Sequence, residues 1–292
     1  MSSFTDFETE TIMSLNGIAS GLSTIGGLYM IISYLATPDM QKFSMKLVIS
    51  LMCSCLAYSF ANFLAFFHDI PEICYIEGVI RVTSTLSCLL WGMVILQTSF
   101  RQLSNFNKDI EKRYKILLLC NISISLTPPI IISIGHFTNR FVYFDITNLF
   151  CNAQPHNWAL VFVDVPRWIT MGLAVFYTIR LIRILNKVFP SKSTQQYRRV
   201  FLYSIALILT WLPGTADRLY MFFFNHSDFL MVMLHVVPTR LSGFINAVIY
   251  GKDHCKRASK KRIADQEKKK YLMASTDKLA QEISLALNSD DC

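Results

Sequence analysis

The sequence predicts an all-α fold: a bundle of seven transmembrane helices, with the N-terminus outside and the C-terminus inside. Three observations predict it. Hydrophobic residues make up 52% of the 292-residue chain and charged residues only 16%, against about 25% charged in an ordinary soluble domain. Long runs carry no formal charge, and a helix of about 20 apolar residues crosses a hydrocarbon core about 30 Å thick. The basic residues alternate sides in step with those runs, as the inside excess of Lys and Arg demands. High apolar content and only 8 Cys exclude intrinsic disorder, collagen and a disulfide-stapled miniprotein.

Residues 11–38, 47–68, 82–100 and 116–139 are free of formal charge. Three further apolar runs are interrupted: 158–187 by Asp164 and Arg167, 199–224 by Asp217 and Arg218, and 229–251 by Arg240. The spans are therefore expected at about 12–36, 44–67, 74–102, 114–136, 158–187, 199–224 and 229–250. With the first span running inward, Lys42 and Lys46 fall inside. So do Arg101, Lys108, Lys112, Arg113 and Lys115, and then Arg180, Arg183, Lys187, Lys192, Arg198 and Arg199. Of the 28 Lys and Arg, those left outside this set and the C-terminal tail are Arg81, Arg140, Arg167, Arg218 and Arg240. Acidic residues split evenly between the two sides, as expected if only basic residues report orientation. A wrong number of spans would scramble this asymmetry.

The chain thus divides into a transmembrane domain, 1–251, and a basic cytoplasmic tail, 252–292. Its net charge of +8 lies on the inner loops and tail, so it reports membrane topology and calls for no nucleic acid. The acidic N-terminal segment (Asp6, Glu8, Glu10) has no basic n-region, so no cleavable signal peptide is expected and the first span serves as the insertion signal. No repeat with a period of about 20–50 residues is visible, so an inverted-repeat transporter lacks its usual trace. Lys and Arg crowd the segment from Lys252 to Lys270, ahead of a weakly amphipathic stretch from Tyr271 to Leu287. That tail reads either as solvated chain or as a short helix on the anionic lipids of the inner leaflet, where each basic residue is worth about 1 kcal/mol.

Cys53, Cys55, Cys88 and Cys120 fall inside spans and read as small apolar packing residues. Cys74 and Cys151 are the two on the outer face, a compartment that permits disulfides. They are either a bridge tying the loop from about 137 to 157 across the bundle mouth, or two separate thiols. Cys255, just past the seventh span, is a palmitoylation candidate. Asn225-His-Ser in the third outer loop is a glycosylation candidate, whereas Asn121-Ile-Ser lies inside the fourth helix and is out of reach. Lys256-Arg257-Ala258-Ser259 has the form of a basophilic kinase site.

The informative residues are charges within the spans. Arg81, Arg167, Arg218 and Arg240 lie in the outer halves of the third, fifth, sixth and seventh helices. An Arg at mid-membrane costs at least about 2.5–3.5 kcal/mol, so it faces the bundle interior with a partner. Their depths from the outer helix ends come to roughly 9–17 Å at 1.5 Å per residue, so they can converge on one cavity. Glu77 and Arg81 are four apart and Asp164 and Arg167 three apart, spacings that allow local pairing. Asp217 adjoins Arg218 but points elsewhere, and Arg240 has no acidic residue near it in its own helix. His235 lies one turn above Arg240. Four Arg against three carboxylates leave the cluster positive. Two readings follow: a closed ion-pair network, or a pocket for a small anionic ligand whose oxygens match guanidinium forks. Arg81, Ser84, Cys88 and Trp91 form one stripe on the third helix, polar below the Arg as a ligand cavity requires. Pro213 is expected to kink the sixth helix beside Trp211, which shares a face with Arg218. A ligand held at Arg218 would then bias the packing of Trp211.

Seven spans, Cys74 with Cys151, Trp211-Leu212-Pro213 and Asn246-Ala-Val-Ile-Tyr250 together resemble a G-protein-coupled receptor. The rhodopsin-class marks are absent: Ser99-Phe100-Arg101-Gln102 stands where an acidic-Arg-Tyr triplet would end the third helix, and residues 229–251 hold no Lys for a retinal Schiff base. The chain is most similar to the slime-mould cyclic AMP receptor family. The residues that carry this are Leu90-Trp91, Pro166-Arg167-Trp168-Ile169, Arg218-Leu219 and above all Gly243-Phe244-Ile245-Asn246-Ala247-Val248-Ile249-Tyr250-Gly251. The resemblance covers residues 74–251. It implies a plasma-membrane receptor for an extracellular ligand, cyclic AMP in the slime-mould members, coupled to a heterotrimeric G protein on the cytoplasmic face. It also implies an activation hinge that includes Asn246 and Tyr250 with Trp211 and Pro213. No cofactor is expected.

Two other classes compete. A channel or transporter would need polar groups along a continuous path, but the inner halves of the spans are apolar. An enzyme would need a metal or acid/base constellation; His68, His136, His226 and His235 are scattered without ligand spacing, and His156 and His254 are isolated. No metal site and no catalysis are therefore expected.

Overall fold

A computed structural model describes residues 4–37, 43–67, 70–103, 114–138, 143–147, 150–154, 160–188, 195–224 and 228–251, with 266, 267 and 273. Asn225, Cys255, Ser259, His68, His156, His226, His254 and nearly all of the 271–287 stretch lie outside the described residues. The chain divides into two compact units, Met1–Ile249 and Tyr250–Cys292. The bundle is built in the first.

The described chain is almost entirely helical. In order come α1 (Asp6–Ala36), α2 (Phe43–Leu64, continued by a 3-10 turn, Ala65–Phe67), α3 (Pro71–Leu103) and α4 (Tyr114–Thr138). They are followed by α5 (Val165–Val188, entered through a π turn, Leu160–Asp164), α6 (Gln195–Phe224) and α7 (Phe229–Arg240). The last piece, α8 (Ser242–Gly251), is bent by 40° from α7. Helices α1 to α4 are each long and apolar enough to cross a membrane, and α7 with α8 make a fifth if the bent pair is one span. α5 and α6 carry more charge: Arg167, Arg180, Arg183 and Lys187 in one, Arg198, Arg199, Asp217 and Arg218 in the other.

The burial pattern is that of a protein whose solvent is lipid. Asn16, Asn62, Glu77 and Thr239 are fully buried, while Ile18, Ile25 and Leu35 of α1 and Ile116, Leu119, Ile130 and Ile134 of α4 face outward. Polar groups collect inside because hydrocarbon cannot hydrogen-bond them. α3 is the most buried of the four apolar spans. It packs against α2, α4, α5 and α6, while α1 bridges α2 and α7, and α6 lies against α7.

Three features depart from the expected outline. First, α1 begins at Asp6, before the apolar run. The Thr5 hydroxyl accepts from the Glu8 N–H at 3.3 Å and the Glu8 carboxylate accepts from the Thr5 N–H at 2.8 Å. This reciprocal cap, with Asp6 and Glu8 at the positive end of the helix dipole, adds a turn and a half. Second, the fold is not purely α: β1 (Tyr143–Thr147) pairs antiparallel with β2 (Phe150–Gln154), Thr147 opposite Phe150 and Ile146 opposite Cys151. This hairpin lies on α3 and α4, and Cys151 is disulfide-bonded to Cys74 at the start of α3, with Cα atoms 5.4 Å apart.

Third, the seventh segment is two helices and not one, while Pro213 lies within the single helix α6. Pro238 has no N–H to give the Leu234 carbonyl. The Thr239 hydroxyl bonds back to the His235 and Val236 carbonyls at 2.6 and 3.1 Å. The chain turns at Leu241 and restarts with Ile245 N–H on the Leu241 carbonyl at 2.9 Å. Beyond the bend the helix is held very close. A Cβ on Gly243 would lie 2.2 Å from Ser23 Oγ and 3.3 Å from Cys55 Cβ, and one on Gly26 would lie 3.0 Å from Ala247 Cβ. The small residues of the 243–247 run thus let α8 meet α1 backbone to backbone, the usual way helices gain contact in lipid.

Gly243→Val is expected to destabilise the bundle by about 1–3 kcal/mol through overpacking. Gly172→Ala, where nothing lies within 4 Å of the new Cβ, is expected to gain up to about 1 kcal/mol of helix propensity. Thermal unfolding in detergent compares the two; equal transition temperatures would show that α8 does not sit against α1.

Candidate functional site

Each charged residue singled out above is placed by the local geometry of its helix. Cys74, Glu77 and Arg81 follow a 3–4 spacing, so one stripe of α3 carries the disulfide, a carboxylate with no exposure and a guanidinium. Arg81 and Glu77 form an ion pair along that stripe. A second Arg81 nitrogen, Nη1, donates to the Cys151 carbonyl at 3.4 Å, so the strand tethered by Cys74 returns to the arginine below it. On α5, the π turn brings Asp164 Oδ1 to 3.4 Å from Arg167 Nη1. On α6, Asp217 Oδ2 accepts from His235 Nδ1 of α7 at 2.8 Å. The ring of His235 fits there because position 214 is glycine; a Cβ would come within 2.6 Å of it.

Arg240 ends α7, buried to 5% exposure. Its Nε donates to Asn16 Oδ1 of α1 at 2.9 Å and its Nη1 donates to the Tyr58 hydroxyl of α2. The guanidinium also stands 4.7 Å from the centroid of the Tyr58 ring, a cation–π arrangement strengthened by desolvation. Asn16 is itself fixed, its Nδ2 donating to the Asn62 carbonyl at 3.3 Å. The Tyr58 ring then meets Trp211 of α6, centroids 5.9 Å apart.

The four arginines come together. Arg81 is within electrostatic reach of Arg240 and Arg218, Arg167 of Arg218, and Arg240 of both Arg167 and Arg218. Four guanidiniums from α3, α5, α6 and α7 therefore lie in one region of net positive charge with Glu77, Asp164 and Asp217. Such a region favours an anion's oxygens, and guanidinium forks can grip them in pairs.

Other expected site residues fall elsewhere. The Ser84 hydroxyl is spent on its own helix, donating to the Ile80 and Arg81 carbonyls at 2.6 and 3.2 Å. Trp91 stacks on Tyr114 of α4 at 6.2 Å, and Tyr114 shares a 2.8 Å hydroxyl bond with Ser50; it joins the α2–α3–α4 side. Trp211 and Asn246 do meet, lining an internal cavity with Cys55, Cys88, Thr210 and Ser242 that has room for roughly one water molecule. Tyr250 falls in the second unit. Asn16, Tyr58, Asn62 and Gly214 were not singled out from the sequence, although uncharged amides within apolar spans were the visible signal for two of them. Among the described residues no group of three His, Cys, Asp or Glu is placed to hold a metal ion.

Removing one acceptor from a buried guanidinium costs about 1–3 kcal/mol. Tyr58→Phe and Asn16→Ala are each expected to lower stability by that amount in detergent unfolding. Because both serve Arg240, the double variant should depart from additivity by about 0.5 kcal/mol or more; strict additivity would show that the two acceptors do not share it.

No family model matches the chain. Over 257 residues it is 26% identical to a protein of Arabidopsis thaliana named G-protein coupled receptor 1, an alignment covering 82% of this chain and 77% of that one. It is 24% identical over 257 residues to Cyclic AMP receptor-like protein A of Dictyostelium discoideum, covering 84% of this chain and 66% of that one. Both relatives are named as receptors and neither as an enzyme. With the apolar helices described above, this gives a multi-pass membrane protein whose resemblance to the cyclic AMP receptor-like proteins among G-protein-coupled receptors holds at family level.

Proposed function

We propose that the chain is a plasma-membrane G-protein-coupled receptor that binds a small anionic extracellular ligand and activates a heterotrimeric G protein on its cytoplasmic face. The observation that carries this is that Arg81, Arg167, Arg218 and Arg240, from four helices, lie within electrostatic reach of one another. A cyclic nucleotide such as cyclic AMP fits it in charge, and one relative is named as cyclic AMP receptor-like; a phosphate or carboxylate would satisfy the same donors. His235 orients Asp217, and Tyr58 passes the state of Arg240 to Trp211. Trp211, Pro213 and Asn246 form the hinge whose repacking opens the basic cytoplasmic ends of α5 and α6.

All seven spans are included in this reading, with residue 2 outside and residue 290 inside. Epitope tags at those two positions should be accessible and inaccessible, respectively, on intact cells; a cytosolic N-terminus would remove the seven-span arrangement.

A second reading also has its own observation. The ion pairs Glu77–Arg81 and Asp164–Arg167 and the Asp217–His235 contact are what a purely structural network in a channel or transporter would show. The two are separated by second-messenger dose–response curves for a panel of anionic small molecules, cyclic AMP included, normalised to surface expression. Losing one partner of a buried charged hydrogen bond costs about 2–5 kcal/mol, roughly 30- to several-thousand-fold in affinity. Arg240→Ala is expected to lose potency to that extent while still reaching the surface, and Arg240→Lys to recover little. Pro213→Ala should lower the maximal response more than the potency. Normal potency in Ala variants of all four arginines, with surface expression lost instead, would replace the ligand pocket by the structural network.

A further inference from the structure

The free cysteines among the described residues are not equivalent. Cys53 and Cys120 are exposed on their helices, whereas Cys55 and Cys88 are buried at 2% and 1% exposure. The latter two face each other across the α2–α3 contact with their sulfurs 3.6 Å apart. This juxtaposition is held from several sides. One residue away on each helix, Ser54 and Ser87 share a 2.8 Å hydroxyl bond, and Ser87 donates to Asn121 of α4 at 2.7 Å. Behind Cys55 lies Gly243 of α8, so close that an added Cβ would be 3.3 Å from Cys55 Cβ. Both cysteines line the small internal cavity beside Trp211 and Asn246.

We propose that Cys55 and Cys88 are an oxidisable pair, converted by a small neutral peroxide into an intramembrane disulfide that staples α2 to α3. A disulfide needs sulfurs about 2.05 Å apart, and these two thiols already stand at van der Waals contact. The step balances simply. One sulfur attacks the peroxide, the O–O bond breaks, and a sulfenic acid and a water form. The second sulfur then attacks the sulfenic sulfur, the S–O bond breaks, and a second water leaves with both thiol protons accounted for. Hydrogen peroxide is uncharged and the smallest peroxide, so no charge has to be desolvated to bring it to the sulfurs. Glutathione, the charged reductant that keeps cytosolic thiols reduced, cannot follow it into the bundle, so the bridge persists once made.

The staple would fall one turn from Tyr58 on α2 and beside Trp211. It would fix the spacing of the helices that connect the arginines to the cavity, whatever the ligand is. This proposal therefore stands or falls independently of the anion-receptor reading.

The test uses the full chain in native membranes, treated with hydrogen peroxide, denatured without reductant, alkylated, digested and examined by mass spectrometry. A cross-linked Cys55–Cys88 peptide pair lacking two hydrogens is expected, with alkylation lost at both positions and kept at Cys53 and Cys120. Cys74–Cys151 should be linked before and after. Peroxide should also raise the unfolding temperature of the wild-type protein in detergent, and should fail to do so in Cys55→Ser and in Cys88→Ser. Full alkylation of both cysteines after peroxide would overturn the proposal. So would their conversion to separate sulfinic or sulfonic acids, or an equal thermal shift in the two variants.

Discussion

A guanidinium in hydrocarbon has to find its hydrogen-bond acceptors within the protein, and the upper part of this bundle is arranged around that requirement. Arg240 draws Asn16 of α1 and Tyr58 of α2 to the end of α7, so three segments far apart in sequence are fixed by one side chain. Arg81 draws in the hairpin through the Cys151 carbonyl, at the strand that the Cys74 disulfide already tethers. Without the hairpin that nitrogen would lose its Cys151 acceptor; without the arginine the strand would lose a hydrogen bond close to its disulfide. The disulfide, the hairpin and the ion pair on α3 thus act as one unit, because a single 3–4 stripe aligns them.

Which parts of this were legible in the sequence follows from cost. An arginine within an apolar run is expensive enough to demand a reason, so Arg81, Arg167, Arg218 and Arg240 stood out without any structure. The i,i+4 and i,i+3 acids beside two of them were visible for the same reason. Tyr58 and Asn16 were not, because tyrosine and asparagine occur in membrane helices for many ordinary packing reasons, and their partner lies 182 and 224 residues away. No local pattern encodes a contact of that separation. Trp91 misled because a helical stripe gives direction only to the nearest turn: ten residues below Arg81 its face has rotated toward Tyr114 of α4. The hairpin was hidden by its shortness, five residues to a strand, in a loop whose length alone suggested irregular chain.

The charge-free runs marked the four most apolar helices directly, since length and composition are all that lipid demands of them. α5 and α6 were harder, and in the structure they remain the less apolar pair, because their charges serve the bundle interior and the helix ends. Prolines were only partly readable. Pro213 lies in a helix that continues through it, whereas Pro238 precedes a real break. A missing N–H is a necessary condition for a bend, but what happens next depends on the neighbours. At Pro238 the Thr239 hydroxyl bonds back to two carbonyls, and the following residues are drawn sideways toward α1.

That sideways pull gives the two halves of the seventh segment different mechanical characters. α8 is held by backbone-close contacts of Gly243 and Gly26 with Ser23, Cys55 and Ala247. A side-chain atom added at either glycine would meet steep repulsion there, so the close approach depends on their lacking one. α7 packs Val232 and Val236 against Ile12 and Ala65 and His235 against Gly214, and adds polar contacts of Asp217 with His235 and of Arg240 with Asn16 and Tyr58. Hydrogen bonds to charged groups can change partners when another charge arrives, because the new bond replaces the energy of the old. The charged contacts of the seventh segment are thus gathered in α7, at Arg240 and His235, while α8 carries the close packing at Gly243 and lines the internal cavity with Ser242 and Asn246. The run beginning at Gly243, which most strongly marks the family resemblance, therefore packs closely on α1, while the other half of the bent segment ends in an arginine.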